Sequence, residues 1–185
     1  MTADQDIVDK ILKHDFWNIS QEYSNFASTI ENFQILTDQK TLMVDITYLK
    51  MAMLWSERSY CQRSKVGCLI VKEKSIISDG YNGSPHGFPN VCEDNENKTL
   101  PYVLHAEANA ITKLAKSTLS SENSTLYVTM SPCYECSKLI IQSGVKRLVI
   151  KDLYRNVDSL PFLIEAGVKI TRIGSIPNSI SNLAI

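Results

Sequence analysis

From residue 105 onward the chain switches repeatedly between two hydrophobic periods, and few folds accept that order. Residues 105–116 read as helix, 125–130 as strand, 133–143 as helix and 146–150 as strand. Residues 159–166 make a further helix, with Gly167 where a C-cap belongs, and 168–173 form a last strand. Such alternation predicts a sheet with helices on its faces, parallel in its second half. Upstream, Ile46, Leu49, Met53 and Leu54 are available for burial on a helix over 44–58. Residues 66–71 and 75–78 flank Lys72-Glu73-Lys74 and read as a hairpin. A segment rich in turn formers, 80–101, is long for a connector and is expected to be a working loop.

Ile7, Val8, Ile11, Leu12 and Phe16 recur at helical spacing, and Phe26, Ile30 and Phe33 suggest a second short helix. Asp4 or Asp6 could cap the first, and no Gly or Pro occurs before residue 67. The chain is therefore expected to divide into an N-terminal helical extension, 1–41, and a main domain, 42–185, with a polar tail after Gly174. A formal net charge of -1 argues against a protein that coats nucleic acid, because such binding rests on many phosphate-facing cations. One phosphorylated small molecule needs only two or three local donors. No basic segment precedes an early apolar run, and no stretch approaches the roughly 18 apolar residues of a membrane span, so neither export nor a membrane is expected. With five cysteines and no leader, the expectation is reduced thiols in the cytoplasm rather than a disulfide framework.

Two short stretches carry chemistry: His105-Ala-Glu107 and Pro132-Cys-Tyr-Glu-Cys136, each at the expected start of a helix. Helix N-termini favour anionic ligands and lower thiol pKa values, and one helical turn brings Cys133 and Cys136 to one face. A Cys-x-x-Cys pair alone could be a redox couple or half of a structural zinc site, and a lone histidine is usually a core residue. Together, His105, Cys133 and Cys136 read as three zinc ligands that leave a fourth tetrahedral position for water, whose pKa zinc lowers to about 7. Glu107, two residues past a ligand, can carry protons without binding the metal. His-x-Glu followed by Pro-Cys-x-x-Cys is the pattern of zinc nucleobase deaminases.

At these residues the sequence resembles the cytidine deaminase superfamily, and within it the deoxycytidylate deaminase branch. The stretches that carry the resemblance are Cys-Gln-Arg-Ser-Lys-Val-Gly67, Gly-Tyr-Asn-Gly-Ser-Pro85, Tyr-Val-Leu-His-Ala-Glu-Ala-Asn-Ala-Ile111 and Leu-Tyr-Val-Thr-Met-Ser-Pro-Cys-Tyr-Glu-Cys136. Similarity extends over about residues 45–173. It implies a three-layer α/β/α fold with a five-stranded mixed sheet and hydrolytic deamination of dCMP to dUMP, which supplies thymidylate synthesis. It also implies a contact from Asn82 to the sugar, backbone contacts from Ala106 and Ser131 to the pyrimidine, and phosphate contacts from Tyr154, Arg63 and Lys65. For Asn82 a purely local role in its turn is the alternative, and for Arg63, Lys65 and Arg155 a solvated surface charge.

Some relatives carry a second, structural zinc. Cys61 and Cys92 match two of its ligands, but Val103 and the loop before it lack the others, and His86 is the only nearby imidazole. Cys61 and Cys92 are accordingly expected to be small buried residues. Relatives also self-assemble and respond to dCTP and dTTP, so a homo-oligomer with those effectors is an expectation of the resemblance. Competing functions are a zinc deaminase of another amine (cytidine, a tRNA adenosine, a riboflavin or pterin precursor) and a non-catalytic regulatory module that keeps zinc for stability.

Overall fold

The computed structural model describes residues 39–174 and residue 176. The helices expected over 7–16 and 26–33, and most of the tail beyond Gly174, lie outside the described residues. In chain order the elements are α1 (Gln39–Ser56), β1 (Gly67–Lys72), β2 (Ser75–Tyr81), α2 (Ala106–Leu114), β3 (Thr125–Met130), α3 (Tyr134–Gln142), β4 (Arg147–Asp152), α4 (Ser159–Glu165) and β5 (Lys169–Arg172). The strands form one sheet in the order β2-β1-β3-β4-β5. β1 runs antiparallel to both β2 and β3, whereas β3, β4 and β5 are parallel to one another.

Side-chain alternation along the strands builds two cores. Cys68 and Ile70 of β1, Leu126 and Val128 of β3, and Leu148 and Ile150 of β4 face the layer of α2, α3 and α4, where Ala106, Ala110, Ile140, Leu160 and Leu163 close the first core. The residues between them, Leu69, Val71, Tyr127 and Val149, point to the other face and meet Ile46, Leu49 and Ala52 of α1. The strands are apolar on both faces because both faces are covered, which gives the expected three layers. Among the described residues, no helix is long and apolar enough to cross a membrane.

Two boundaries differ from the sequence reading by three residues or more. α1 starts at Gln39, five residues before the expected Val44: its first three residues, Gln39-Lys40-Thr41, are polar, and Leu42 already packs against the core on the α1 side. β2 continues to Tyr81, three residues past the expected Ser78, because Tyr81 pairs with Gly67 and extends the ladder into the turn-rich segment. The hairpin turn itself uses Glu73 and Lys74 at φ 50 and 65, the left-handed geometry that two-residue hairpins require, without the usual Asn-Gly.

A buried ion pair ties α1 to the sheet. Asp45 is 1% exposed and receives two hydrogen bonds from Arg147, Nη1 to Oδ1 at 2.8 Å and Nη2 to Oδ2 at 2.5 Å. The Tyr127 hydroxyl donates to the same Oδ1 at 2.8 Å, and Arg147 Nη2 also reaches Thr171 Oγ1 at 3.1 Å. One carboxylate thus joins α1 to β3, β4 and β5. On the opposite face, β2 and α2 touch at Gly80, where a Cβ would run into the Ala106 carbonyl and the Ala110 amide. Ser78 Oγ donates to the Ala110 carbonyl at 2.6 Å beside it. This close approach sets where α2 begins.

Candidate active site

The site lies at the C-terminal ends of β3 and β4, the usual ligand edge of a parallel sheet. Because β1 is antiparallel to β3, the start of β1 and the end of β2 reach the same edge. His105 is delivered there by a two-way backbone bridge between Gly83 and Leu104, with N–H···O distances of 3.0 and 2.9 Å. Asn109 Nδ2 donates to the Tyr81 carbonyl at 3.0 Å and holds the first turn of α2 against the end of β2. Cys133 follows β3 after only two residues.

His105 and Cys133 are the N-cap residues of α2 and α3, both in extended backbone geometry and neither using its side chain as a cap. Their side chains are free to converge. His105 Nδ1 lies 3.4 Å from both Cys133 Sγ and Cys136 Sγ. The three ligand atoms all fall within 4.8 Å of one another. Zinc bonds of about 2.0 Å to nitrogen and 2.3 Å to sulfur at tetrahedral angles separate those atoms by about 3.5 Å, so the residues fit the metal.

The electrostatics agree with a site prepared for a cation. The Cys133 thiol is pulled down to about 3, first by its hydrogen bond with Cys136 and further by His105, so the two sulfurs share one proton. The imidazole of His105 is raised, chiefly by its hydrogen bond with Cys133. Glu107 sits in the first turn of α2 at 3% exposure, and burial pushes its carboxyl above the usual range despite the nearby imidazole. Cys68, buried behind the site, is raised by desolvation and behaves as a small apolar residue.

These groups open into a cleft of about 690 Å³. It is lined by the buried Ala106 and Glu107 together with His105, Cys133, Asn82, Val66, Ser131, Leu153 and Tyr154. The exposed Arg63, Lys98, Thr99 and Arg155 also line it, with Glu93. The expected residues do not all behave alike. Asn82 lines the cleft, yet its amide also clamps the preceding loop, with Oδ1 accepting from Val66 N and Nδ2 donating to Ser64 O, each at 2.8 Å. One N–H and one lone pair remain for a ligand.

Ser131 spends its backbone N–H on the Asp152 carbonyl at 2.8 Å, and so it cannot offer that group to a pyrimidine. Its hydroxyl instead accepts from Tyr154 N at 2.7 Å and fixes the turn that carries Tyr154. Arg155 lies over the Tyr154 ring with its guanidinium 5.5 Å from the centroid. Arg63 reaches Thr99 Oγ1 at 3.2 Å. Lys65, in contrast, is not part of the cleft: its side chain is exposed and turns toward the Glu57 carbonyl at 3.5 Å. On a straight extended segment Arg63 and Lys65, two apart, would share a side, but the backbone bends at 62–63 and Asn82 holds Ser64 between them.

The 82–104 loop is tied down where the sequence suggested no tie. Cys61 and Cys92 form a disulfide, with Cα atoms 5.1 Å apart. This corrects the expectation of five reduced thiols and of two ordinary buried cysteines. The 31-residue separation hides a contact that exists only once the loop folds back. Beside it the Glu93 carboxylate accepts from the backbone of Gln62 and Arg63 at 3.1 and 3.2 Å. Glu93, Lys98 and Thr99 were not singled out from the sequence, because an acidic, turn-rich segment has no periodicity to mark which side chains face inward.

Residues 43–152 match the family model described as the cytidine and deoxycytidylate deaminase zinc-binding region. The chain belongs to that family. Among its relatives, deoxycytidylate deaminase of Saccharomyces cerevisiae is 32% identical over 178 residues, covering 87% of this chain and 56% of the yeast protein. Deoxycytidylate deaminase of Mycobacterium phage D29 is 38% identical over 119 residues, covering 57% of this chain and 91% of the phage protein. The crystal structure of dCMP deaminase from the cyanophage S-TIM5, in complex with dCMP and dUMP, superposes with a TM-score of 0.70 at 42% identity, over 75% of this chain and all of that one. This family member therefore has the family's mixed sheet, and its His105, Cys133 and Cys136 are positioned for the family's zinc.

Proposed function

We propose that this chain hydrolyses dCMP to dUMP and ammonia with His105, Cys133 and Cys136 holding zinc and Glu107 carrying protons. The observation that carries the reading is the convergence of three ligand atoms beside the buried Glu107, in a cleft that exposed cations also line. Bound zinc supplies Lewis acidity that makes water nucleophilic near neutral pH. Glu107 Oε accepts one proton from the attacking water and gives it to the ring nitrogen, where it stays; it then takes the second proton from the hydroxyl added to the ring carbon and passes it to the amino group, so that the C–N bond breaks, ammonia leaves and the C=O of dUMP forms. Its raised pKa suits the uptake step, since the carboxylate takes a proton from water more readily than at its ordinary value, and it keeps the protonated form populated for the return step nearer neutral pH.

The unused amide valences of Asn82 serve the sugar, the first-turn amides of α2 around Ala106 serve the pyrimidine, and Arg63, Arg155 and Tyr154 serve the phosphate. Lys65 has no part in this proposal. Residues 1–41 as a separate extension, self-assembly, and control by dCTP and dTTP complete the reading. The Gly80-Tyr-Asn-Gly segment supports the last of these through its match to the regulated relatives. A cytoplasmic location suits the metal-ligating thiols, which must stay reduced, whereas the Cys61–Cys92 disulfide is uncommon there.

Ammonia release from dCMP, cytidine, deoxycytidine and a tRNA anticodon stem, measured side by side with and without dCTP and dTTP, tests the proposal. dCMP should be turned over with the highest kcat/KM. Tyr154→Phe should weaken dCMP turnover more than that of deoxycytidine. Preference for an unphosphorylated nucleoside or for the tRNA stem would overturn the substrate assignment.

A further inference from the structure

α1 is apolar on two opposite faces, and only one of them meets the sheet. Ile46, Leu49 and Ala52 are 2%, 0% and 0% exposed against the strands. At 100° per residue, Val44 and Met51 stand on the far side, and Leu54 lies beside them. These three are 40%, 42% and 66% exposed. Trp55, on the flank, donates its indole N–H to Asp79 Oδ1 of β2 at 2.7 Å and so belongs to the sheet contact. A surface helix ordinarily carries its polar residues on the far side. The strip spans residues 44–54, about 15 Å at 1.5 Å per residue, and an apolar strip of that kind marks a contact surface.

The chain itself contains a segment of matching size, pattern and charge. Residues 1–38 run directly into α1 without Gly or Pro. Ile7, Val8, Ile11, Leu12 and Phe16 recur at helical spacing over about 14 Å. The 22 residues 17–38 are more than the two to eight that a helix–helix connection needs to reverse direction. Of the 20 acidic and 19 basic residues, residues 1–38 hold seven acidic and two basic, leaving 13 acidic and 17 basic in the rest. An acidic segment is attracted to that remainder, whereas a second copy would bring like charge to like.

We propose that residues 1–38 dock onto the outer face of α1 of their own chain, with the Ile7 to Phe16 stripe covering Val44, Met51 and Leu54. The docking is independent of the deaminase reading, because α1 lies on the face of the sheet opposite the helices that carry the metal ligands.

A photo-crosslinking phenylalanine analogue at position 54 of the full chain, in an equal mixture of light and 15N-labelled protein, tests it. Light-to-light and heavy-to-heavy cross-links into residues 1–38 are expected. Mixed-isotope cross-links, cross-links elsewhere, or none would overturn the proposal. As an independent measurement, the full-length Met51→Glu, Leu54→Glu variant should be nicked by trypsin at Lys10 and Lys13 at least about tenfold faster, with its sedimentation mass unchanged. An unchanged nicking rate overturns the docking, and a fall in mass assigns the face to a second copy instead.

Discussion

Replacing Glu107 with Gln keeps the side chain's shape and removes both its charge and its capacity to carry a proton. A positioned acid–base group contributes about 10²–10⁴ in rate, or about 2.7–5.4 kcal/mol of barrier at 1.36 kcal/mol per tenfold. The site argues for the upper half of that range, since Glu107 is 3% exposed and no bulk water can replace it. Stability should move the other way. Burial raises the carboxyl's pKa in the folded protein, so the folded state holds its proton to higher pH than the unfolded chain does. Folding free energy is then lost as pH rises from the ordinary Glu range, about 4.3, through the raised value. Glutamine has no such loss. Zinc-free Glu107→Gln should therefore melt above zinc-free wild type at pH 8, with the gap closing toward pH 4. Single-turnover absorbance with dCMP, metal content by mass spectrometry and thermal melts across pH measure all three quantities. Turnover within about threefold of wild type at full zinc occupancy would remove Glu107 from the chemistry. A lower melting temperature at pH 8 would refute the burial argument.

Three further substitutions probe how the site is held. Cys136→Ser should weaken zinc binding by more than the roughly 10–100-fold that loss of a supporting hydrogen bond costs, read by competition with a chromophoric chelator; undiminished affinity would exclude Cys136 as a ligand. Asp45→Ala leaves Arg147 half-buried without its carboxylate and should cost about 3–5 kcal/mol in urea denaturation, and an unmoved midpoint would show that the pair is not what fastens α1. Gly80→Ala places a Cβ against the Ala106 carbonyl and Ala110 amide, so it should cost about 1–3 kcal/mol and lower zinc affinity by displacing α2. Lost stability with unchanged zinc affinity would mean that α2 moves as a unit with His105.

Much of this was legible before any coordinates. β3 has the bounds read from its alternating residues, and His105 and Cys133 fall within one residue of where the helix starts were placed, because periodicity and motif mark the same positions. What stayed hidden depends on long-range contact. Nothing local distinguishes Arg63, on the cleft, from Lys65, turned toward Glu57, since both are cations in one short loop. The Cys61–Cys92 bond, the Glu93 carboxylate under the Arg63 backbone, and the Ser131 hydroxyl under Tyr154 all join segments more than 20 residues apart. The Asp45–Arg147 pair spans 102 positions, and each partner alone looks like a solvated charge.

The place of the site follows from a change of direction within the sheet. β3 is the strand with an antiparallel neighbour on one side and a parallel one on the other. At its C-terminal end, therefore, β1 begins, β2 has just ended, and the loop after β4 arrives. Helices that follow strands ending there start at that edge, so the N-termini of α2 and α3 meet and bring His105 and Cys133 together as N-caps. Two partial positive ends would repel unless something negative sits between them, and the Cys133 thiolate occupies that position. A cation held by deprotonated sulfurs and a neutral imidazole resolves that conflict, so the preference of this site for a metal is a property of the strand order as much as of the ligands.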